Sequence, residues 1–174
     1  MPLTLYIGPM VAGKTTALIS AAESEADTLV LRPVLDTRSP PQKIRSHDGR
    51  EWPCESVSSL RVVDDFGFKQ ILIDEVQFFK PDSIGKILTW SASGKAVKVF
   101  GLSEMADGSP WTVIEMLKKT YPKVVRLSAK CQLCAEPATK TQRLTPWVEG
   151  RAGISVGGAA DYAPRCVKHW SAKP

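Results

Sequence analysis

Gly8-Pro9-Met10-Val11-Ala12-Gly13-Lys14-Thr15 follows directly on the apolar run Leu3-Thr4-Leu5-Tyr6-Ile7. Its spacing, Gly, four residues, Gly-Lys-Thr, is that of a phosphate-binding loop. Gly8 and Gly13 allow the backbone to fold round an anion and turn its N–H groups inward. Lys14 then reaches the β- and γ-phosphates, and the Thr15 hydroxyl ligates Mg²⁺. A helix opening at Thr16 aims its positive end at the same phosphates. The context supports the motif, because a short strand precedes it and an apolar-periodic stretch follows. The expectation is a nucleoside triphosphate held on residues 8–16.

Working outward, short apolar runs alternate with helical stretches. Leu3–Ile7, Thr28–Leu31, Gln70–Asp74, Ala96–Leu102 and Lys123–Leu127 are short and rich in β-branched residues. Such runs suit strands buried on both faces of a parallel sheet. Thr16–Glu25, Val57–Asp65, Pro81–Ser93 and Trp111–Thr120 are expected to be helices, with Pro81 in a first turn. The class is α/β, a phosphate-loop parallel sheet flanked by helices, with ligand at the C-terminal strand ends. Residues 33–56, with Pro33, Pro40, Pro41, Gly49 and Pro53, read as a long loop, and residues 103–110 as a second. The pattern changes near residue 128. This predicts residues 1–128 as the nucleotide-binding domain and 129–174 as a small metal-pinned lobe.

The chain has 174 residues, room for one core and a small appendage. No apolar run approaches the length of a membrane span, and no signal peptide is evident, so the expected location is the cytoplasm. The net charge is +5. Residues 118–174 carry 11 Lys and Arg against 3 acids, while residues 1–117 carry 12 against 15. The basic residues are scattered rather than in a run, which favours a polar surface over a nucleic-acid contact.

Ile71-Leu72-Ile73-Asp74-Glu75 is an apolar strand ending in acids. Asp74 is the expected Mg²⁺ partner of the phosphate loop. Glu75 beside it is placed to take a proton from an attacking hydroxyl or water. A GTPase is excluded, because no Asn-Lys-x-Asp occurs and no Asp-x-x-Gly follows this strand. Phe78 is balanced between a ligand wall and the core, and Gly157-Gly158 reads as a turn.

Cys131-Gln132-Leu133-Cys134 and Cys166-Val167-Lys168-His169 are two pairs of equal spacing. Three thiolates and an imidazole make a closed tetrahedral Zn²⁺ site with no position left for water, so its role is structural. His47 has no such partner, and Cys54 reads as a free thiol.

Together these segments resemble the thymidine kinase family of animal cytosol, many bacteria, poxviruses and phages. The resemblance rests on Gly8-Pro9-Met10-x-x-Gly13-Lys14-Thr15 and Asp74-Glu75-Val76-Gln77-Phe78-Phe79. It continues through Thr141-Gln142-Arg143-Leu144, Val156-Gly157-Gly158-Ala159 with Tyr162 and Cys166, and the two Cys/His pairs. It implies ATP-dependent phosphorylation of the 5′-hydroxyl of thymidine by a homotetramer; the sequence leaves wider pyrimidine use, of deoxyuridine or deoxycytidine, open. It implies that Glu75 is the base and that Asp74 serves Mg²⁺. Asp48 would meet the deoxyribose or the metal. Met10, Phe78, Leu102, Trp111, Thr141 and Tyr162 would line the thymine pocket, and Val156-Gly157 would read the base through backbone groups. Ala106 stands where the family usually has an aromatic residue, Trp111 falls where another pocket aromatic is expected, and Ser155 replaces an apolar residue. No counterpart of the animal members' long C-terminal tail follows His169. The rival reading is a nucleic-acid-binding ATPase with a zinc ribbon. It would want a basic run or clustered stacking aromatics, and neither is evident.

Overall fold

The computed structural model describes residues 3–38, 40, 42–146, 157, 158 and 160–172. At its centre is a six-stranded sheet. Its strands are β1 (Thr4–Gly8), β2 (Thr28–Pro33), β5 (Glu55–Val57), β6 (Gln70–Ile73), β7 (Ala96–Leu102) and β8 (Lys123–Arg126). They run in the order β5-β2-β6-β7-β1-β8, and every neighbouring pair is parallel. The five expected strands are therefore present, in one sheet.

The sheet is covered on both faces, and the strand sequences show why. On β1, Leu5 and Ile7 enter one apolar cluster while Tyr6 turns to the other; on β6, Ile71 and Ile73 oppose Leu72 in the same way. Successive side chains point to opposite faces. The larger cluster takes Ile84, Ile87 and Trp90 of α2 (Ser83–Ala92) and Val113, Ile114 and Leu117 of α3 (Thr112–Lys118). The other takes Leu18, Ile19 and Ala22 of α1 (Lys14–Glu23), with Tyr6 stacked on Phe100 at 4.5 Å. Edge strand β8 is mostly exposed and carries Lys123 and Arg126, charges that discourage further strand pairing.

Three expectations are corrected. Residues 33–56 are not one loop. Lys43–Arg45 (β3) and Glu51–Pro53 (β4) form an antiparallel hairpin, and β5 adds the sixth strand. Ile44 and Trp52 pack this hairpin on the α1 face. Arg50 clips it to α1 through Ser20 (3.1 Å) and Glu23 (2.6 Å). Buried Arg32 ties the preceding segment down by donating to Ser56 Oγ (2.8 Å) and the Pro40 carbonyl (3.0 Å). Val57–Asp65 is not an α-helix. Ser59 caps a single 3-10 turn, Leu60–Val62, and Val63 is extended. Asp64 then accepts the Phe66 N–H at 3.0 Å, a local turn that competes with helix propagation. Pro81 lies ahead of α2, which begins at Ser83. None of the described helices is long and apolar enough to cross a membrane.

The remaining strands follow the sheet: β9 (Ala129–Lys130) with β10 (Pro137–Ala138), and β11 (Lys140–Arg143) with β12 (Tyr162–Arg165), both pairs antiparallel.

Candidate active site

The loop between β1 and α1 opens at the C-terminal edge of the sheet. Gly13 is in the left-handed region at φ 75°, which favours glycine, and Val11 takes φ 62° despite its branched side chain. Gly8 is required for another reason. A Cβ there would lie 2.5 Å from the Leu127 carbonyl oxygen, so the end of β1 must pass close to the end of β8. Lys14 is buried and donates to the carbonyls of Gly8 (3.2 Å) and Pro9 (2.6 Å). Burial lowers its pKa, opposed by the charges of Glu75 and Asp74.

The acids after β6 face this loop. Thr15 Oγ1 donates to Asp74 Oδ2 at 3.3 Å, joining the two expected Mg²⁺ ligands. Asp74 is buried, and that burial, with the neighbouring Glu75 charge, raises its pKa to about 7. A buried carboxylate in this state favours a cation beside it. Glu75 is also buried and stands at φ 49°. Its carboxylate is held from two sides. Arg38 approaches Oε1 at 2.5 Å, and Gln77 Nε2 donates to Oε2. Arg38 is fixed in turn by Asp36 at 2.7 Å. Burial works against the guanidinium charge, but Glu75 and Asp36 outweigh it and raise the Arg38 pKa. Gln77 is locked by accepting the Leu102 N–H at 3.2 Å, over Gly101, where a Cβ would meet Gln77 Oε1 at 2.7 Å.

Lys14, Thr15, Thr16, Asp74 and Glu75 line one cavity of about 270 Å³, together with Met10, Val11, Ala12 and Gly13. This is near the low end of small-molecule pockets. Asp36 and Arg38 line it too, with Ile44, Arg45, Ser46 and His47 of the β3–β4 hairpin; sequence reasoning missed Asp36 and Arg38 and left His47 without a partner. The Asp36-Thr37-Arg38 stretch has no pattern of its own, and Arg38 meets Glu75 only through the path of the chain after β2. Gln77 was visible in the quoted motif, but without a role.

The expected nucleoside residues are distributed as follows. Met10 and Leu102 line the cavity, as does Gly158. Phe78 and Trp111 meet edge to face at 5.6 Å and pack against the larger apolar cluster. Thr141 is buried on β11, and its hydroxyl accepts the Met10 N–H at 3.1 Å. Asp48, in the β3–β4 turn, accepts from Ser46 Oγ and lies 3.5 Å from Thr16 Oγ1. Gly157 is more than a turn residue, because a Cβ there would fall 2.7 Å from both Asp161 Oδ2 and Tyr162 Cε2. Val156 lies outside the described residues.

Cys131, Cys134, Cys166 and His169 converge, with their ligand atoms all within 4.8 Å of one another. Cys131 Sγ and Cys166 Sγ lie 3.7 and 3.3 Å from His169 Nδ1, and Cys134 Sγ lies 3.7 Å from Cys166 Sγ. Tetrahedral ligands on bonds of about 2.1–2.3 Å are separated by about these lengths. Burial opposes the Cys131 thiolate, but the amides of Cys166, Leu133 and Cys134, with His169, prevail and lower its pKa. This donor set fits a metal ion. Cys54 stands apart, and burial raises its thiol to about 11.

The family model described as thymidine kinase matches residues 1–170. A thymidine kinase of Pyrobaculum aerophilum is 31% identical over 99% of this chain and all of its own length. One of Thermococcus kodakarensis is 30% identical over 96% of this chain and 92% of its own. One of Mycoplasmoides gallisepticum is 33% identical over 93% of this chain and 77% of its own. With the phosphate loop, the paired acids and the Cys/His cluster in place, the chain belongs to the thymidine kinase family.

Proposed function

We propose that this protein transfers the γ-phosphoryl group of ATP to the 5′-hydroxyl of thymidine. The observation that carries the reading is the convergence of Lys14, the Thr15–Asp74 pair and Glu75 on one cavity at the C-terminal ends of β1 and β6. Phosphoryl transfer asks the protein mainly for position and for charge stabilisation. Lys14 exchanges its loop carbonyls for the β- and γ-phosphate oxygens. The amides of residues 11–16 complete the anion cradle. Thr15 and Asp74 would hold Mg²⁺, which when bound neutralises charge on the phosphates. Glu75, kept in one orientation by Arg38 and Gln77, takes the proton of the attacking hydroxyl.

Cys131, Cys134, Cys166 and His169 would hold Zn²⁺ with no open position, a structural role. The described part of the segment after β8 then forms a lobe that brings Thr141 to the phosphate loop. The family resemblance supports a cytoplasmic homotetramer. Transfer of label from γ-labelled ATP is the test. Thymidine should be phosphorylated well, and deoxyuridine less well for want of one methyl contact. Deoxycytidine should be poor, because its reversed hydrogen-bond polarity leaves buried groups unpaired. Label released only as phosphate, with release stimulated by single-stranded DNA, would overturn the reading.

A further inference from the structure

Trp170 follows the metal-ligating His169 directly and reaches well away from the cluster. Its indole N–H is shared between the Ala106 carbonyl (3.1 Å) and the Thr141 carbonyl (3.2 Å). Its ring lies over Gly108, where a Cβ would come within 2.9 Å of Cη2. Lys140 Nζ stands 4.7 Å from the ring centroid and pairs with Glu104 at 2.7 Å. The next residue is fastened too, with Ser171 N donating to Gln142 Oε1 at 2.7 Å.

The Thr141 carbonyl needs this donor. Thr141 and Pro164 meet at a non-hydrogen-bonded position of the β11–β12 ladder: in the same register Leu144 N–H donates to the Asp161 carbonyl, and the Pro164 carbonyl accepts from Gln132 N–H on its other side, so the Thr141 carbonyl points away from β12. Thr141 is buried, so an unpaired carbonyl there would be costly. The same residue turns its hydroxyl to the Met10 N–H in the phosphate loop. A continuous path therefore runs from His169 through Trp170 and Thr141 to Met10, with a side branch to the loop after β7.

We infer that Trp170 is a positioning residue: its indole N–H holds Thr141 against the phosphate loop and so links the Cys/His cluster to the nucleotide site. The inference rests on the kinase reading only where turnover is measured. The geometric part is independent of it.

The test compares Trp170→Phe, which keeps the ring over Gly108 and loses the N–H, with wild type and with Thr141→Val. The primary measurement is amide exchange at Met10 in the substrate-free holoprotein. Both variants should lose protection there, while metal content stays at wild-type level. Stripping the metal from wild type should expose Met10 to a similar degree. In the transfer assay, Trp170→Phe should raise KM for ATP about 2- to 10-fold, the loss expected for one neutral hydrogen bond, with kcat changing less. Unchanged Met10 exchange and unchanged KM in Trp170→Phe would overturn the inference. So would a variant whose only defects are a lower melting temperature and lost metal, because that would make Trp170 structural. Altered exchange in a protein that phosphorylates no nucleoside would leave the inference standing and fail the kinase reading.

Discussion

The central sheet and the segments around the Cys/His cluster reach order by different means. In the sheet, two apolar clusters lie on opposite faces, the larger with Trp90, Ile73 and Val99 fully or nearly fully buried. Around the Cys/His cluster, the buried apolar cluster among the described residues is Cys131, Ala138 and Cys166, with Ala129 packed against it. Leu133 and Val167, the large apolar residues inside the two ligand pairs, are exposed. The sheet is held by apolar area removed from water. Among its described residues the cluster region has little such area, and chelation by the Cys/His set would supply the difference. The proposed catalytic groups Lys14 and Glu75 sit on the first kind of support, while Thr141 comes from the second.

Removing a metal ligand should give the largest effect. Structural Zn²⁺ in small domains contributes on the order of 10 kcal/mol of folding free energy. Cys166→Ser should lower metal content below one ion per chain and expose amides of β9 to β12 to exchange, while β1, β6 and β7 remain protected. Elemental analysis with hydrogen exchange checks this. Simultaneous loss of protection in both regions would erase the distinction drawn above.

A core deletion in the sheet should act in the opposite sense. Leu72 is fully buried beneath α1. Leu72→Ala should cost about 2–5 kcal/mol and shift the main unfolding transition, with metal still bound in the native state. Urea melts followed by sheet circular dichroism and by metal release would separate the two regions.

Glu75→Gln tests the chemistry while leaving both apolar clusters and the Cys/His cluster intact. The side chain keeps its size, but it offers one acceptor oxygen where Gln77 Nε2 and Arg38 both donate, so one of these contacts is lost together with the base. Turnover should fall about 10²-fold or more, with ATP binding close to wild type and a lower melting temperature, because Arg38 keeps only Asp36 as its anionic partner. Equal losses in binding and turnover would mean that Glu75 holds the site together rather than taking a proton.

The same contrast explains what could be read from the sequence. Five strands were legible because β1, β2, β6, β7 and β8 are continuous β-branched or apolar runs. The edge strand β5 was not, because Glu55-Ser56-Val57 has only one apolar residue and gains its pairing from β2. Val57–Asp65 has apolar residues at helical spacing, yet Ser59 and Asp64 bind nearby amides and stop the helix after one turn. The cluster ligands and phosphate loop were legible because their chemistry demands fixed local spacing. Arg38, Asp36 and Trp170 were not, because their partners at Glu75, Ala106 and Thr141 are set by tertiary path, which no local spacing records.

The smallest effect is expected at an ion pair that trims the sheet. Asp65 sits between Lys86 of α2 at 3.0 Å and Lys95 before β7 at 3.2 Å. The Trp90 indole beside it and then these two ammonium groups bring its carboxyl down to about 2. A carboxyl depressed in the folded state adds stability above its unfolded pKa, near 4, and loses it as pH falls through the folded value. The side chain is 22% exposed, so solvent screens the pair and the contribution should be about 1 kcal/mol or less. Asp65→Asn should therefore lower the urea midpoint slightly at pH 7. The gap to wild type should close between about pH 4 and pH 2, and added salt should narrow it at neutral pH. A gap that is the same at pH 7 and pH 2 would mean that packing, and not charge, holds this corner of the sheet.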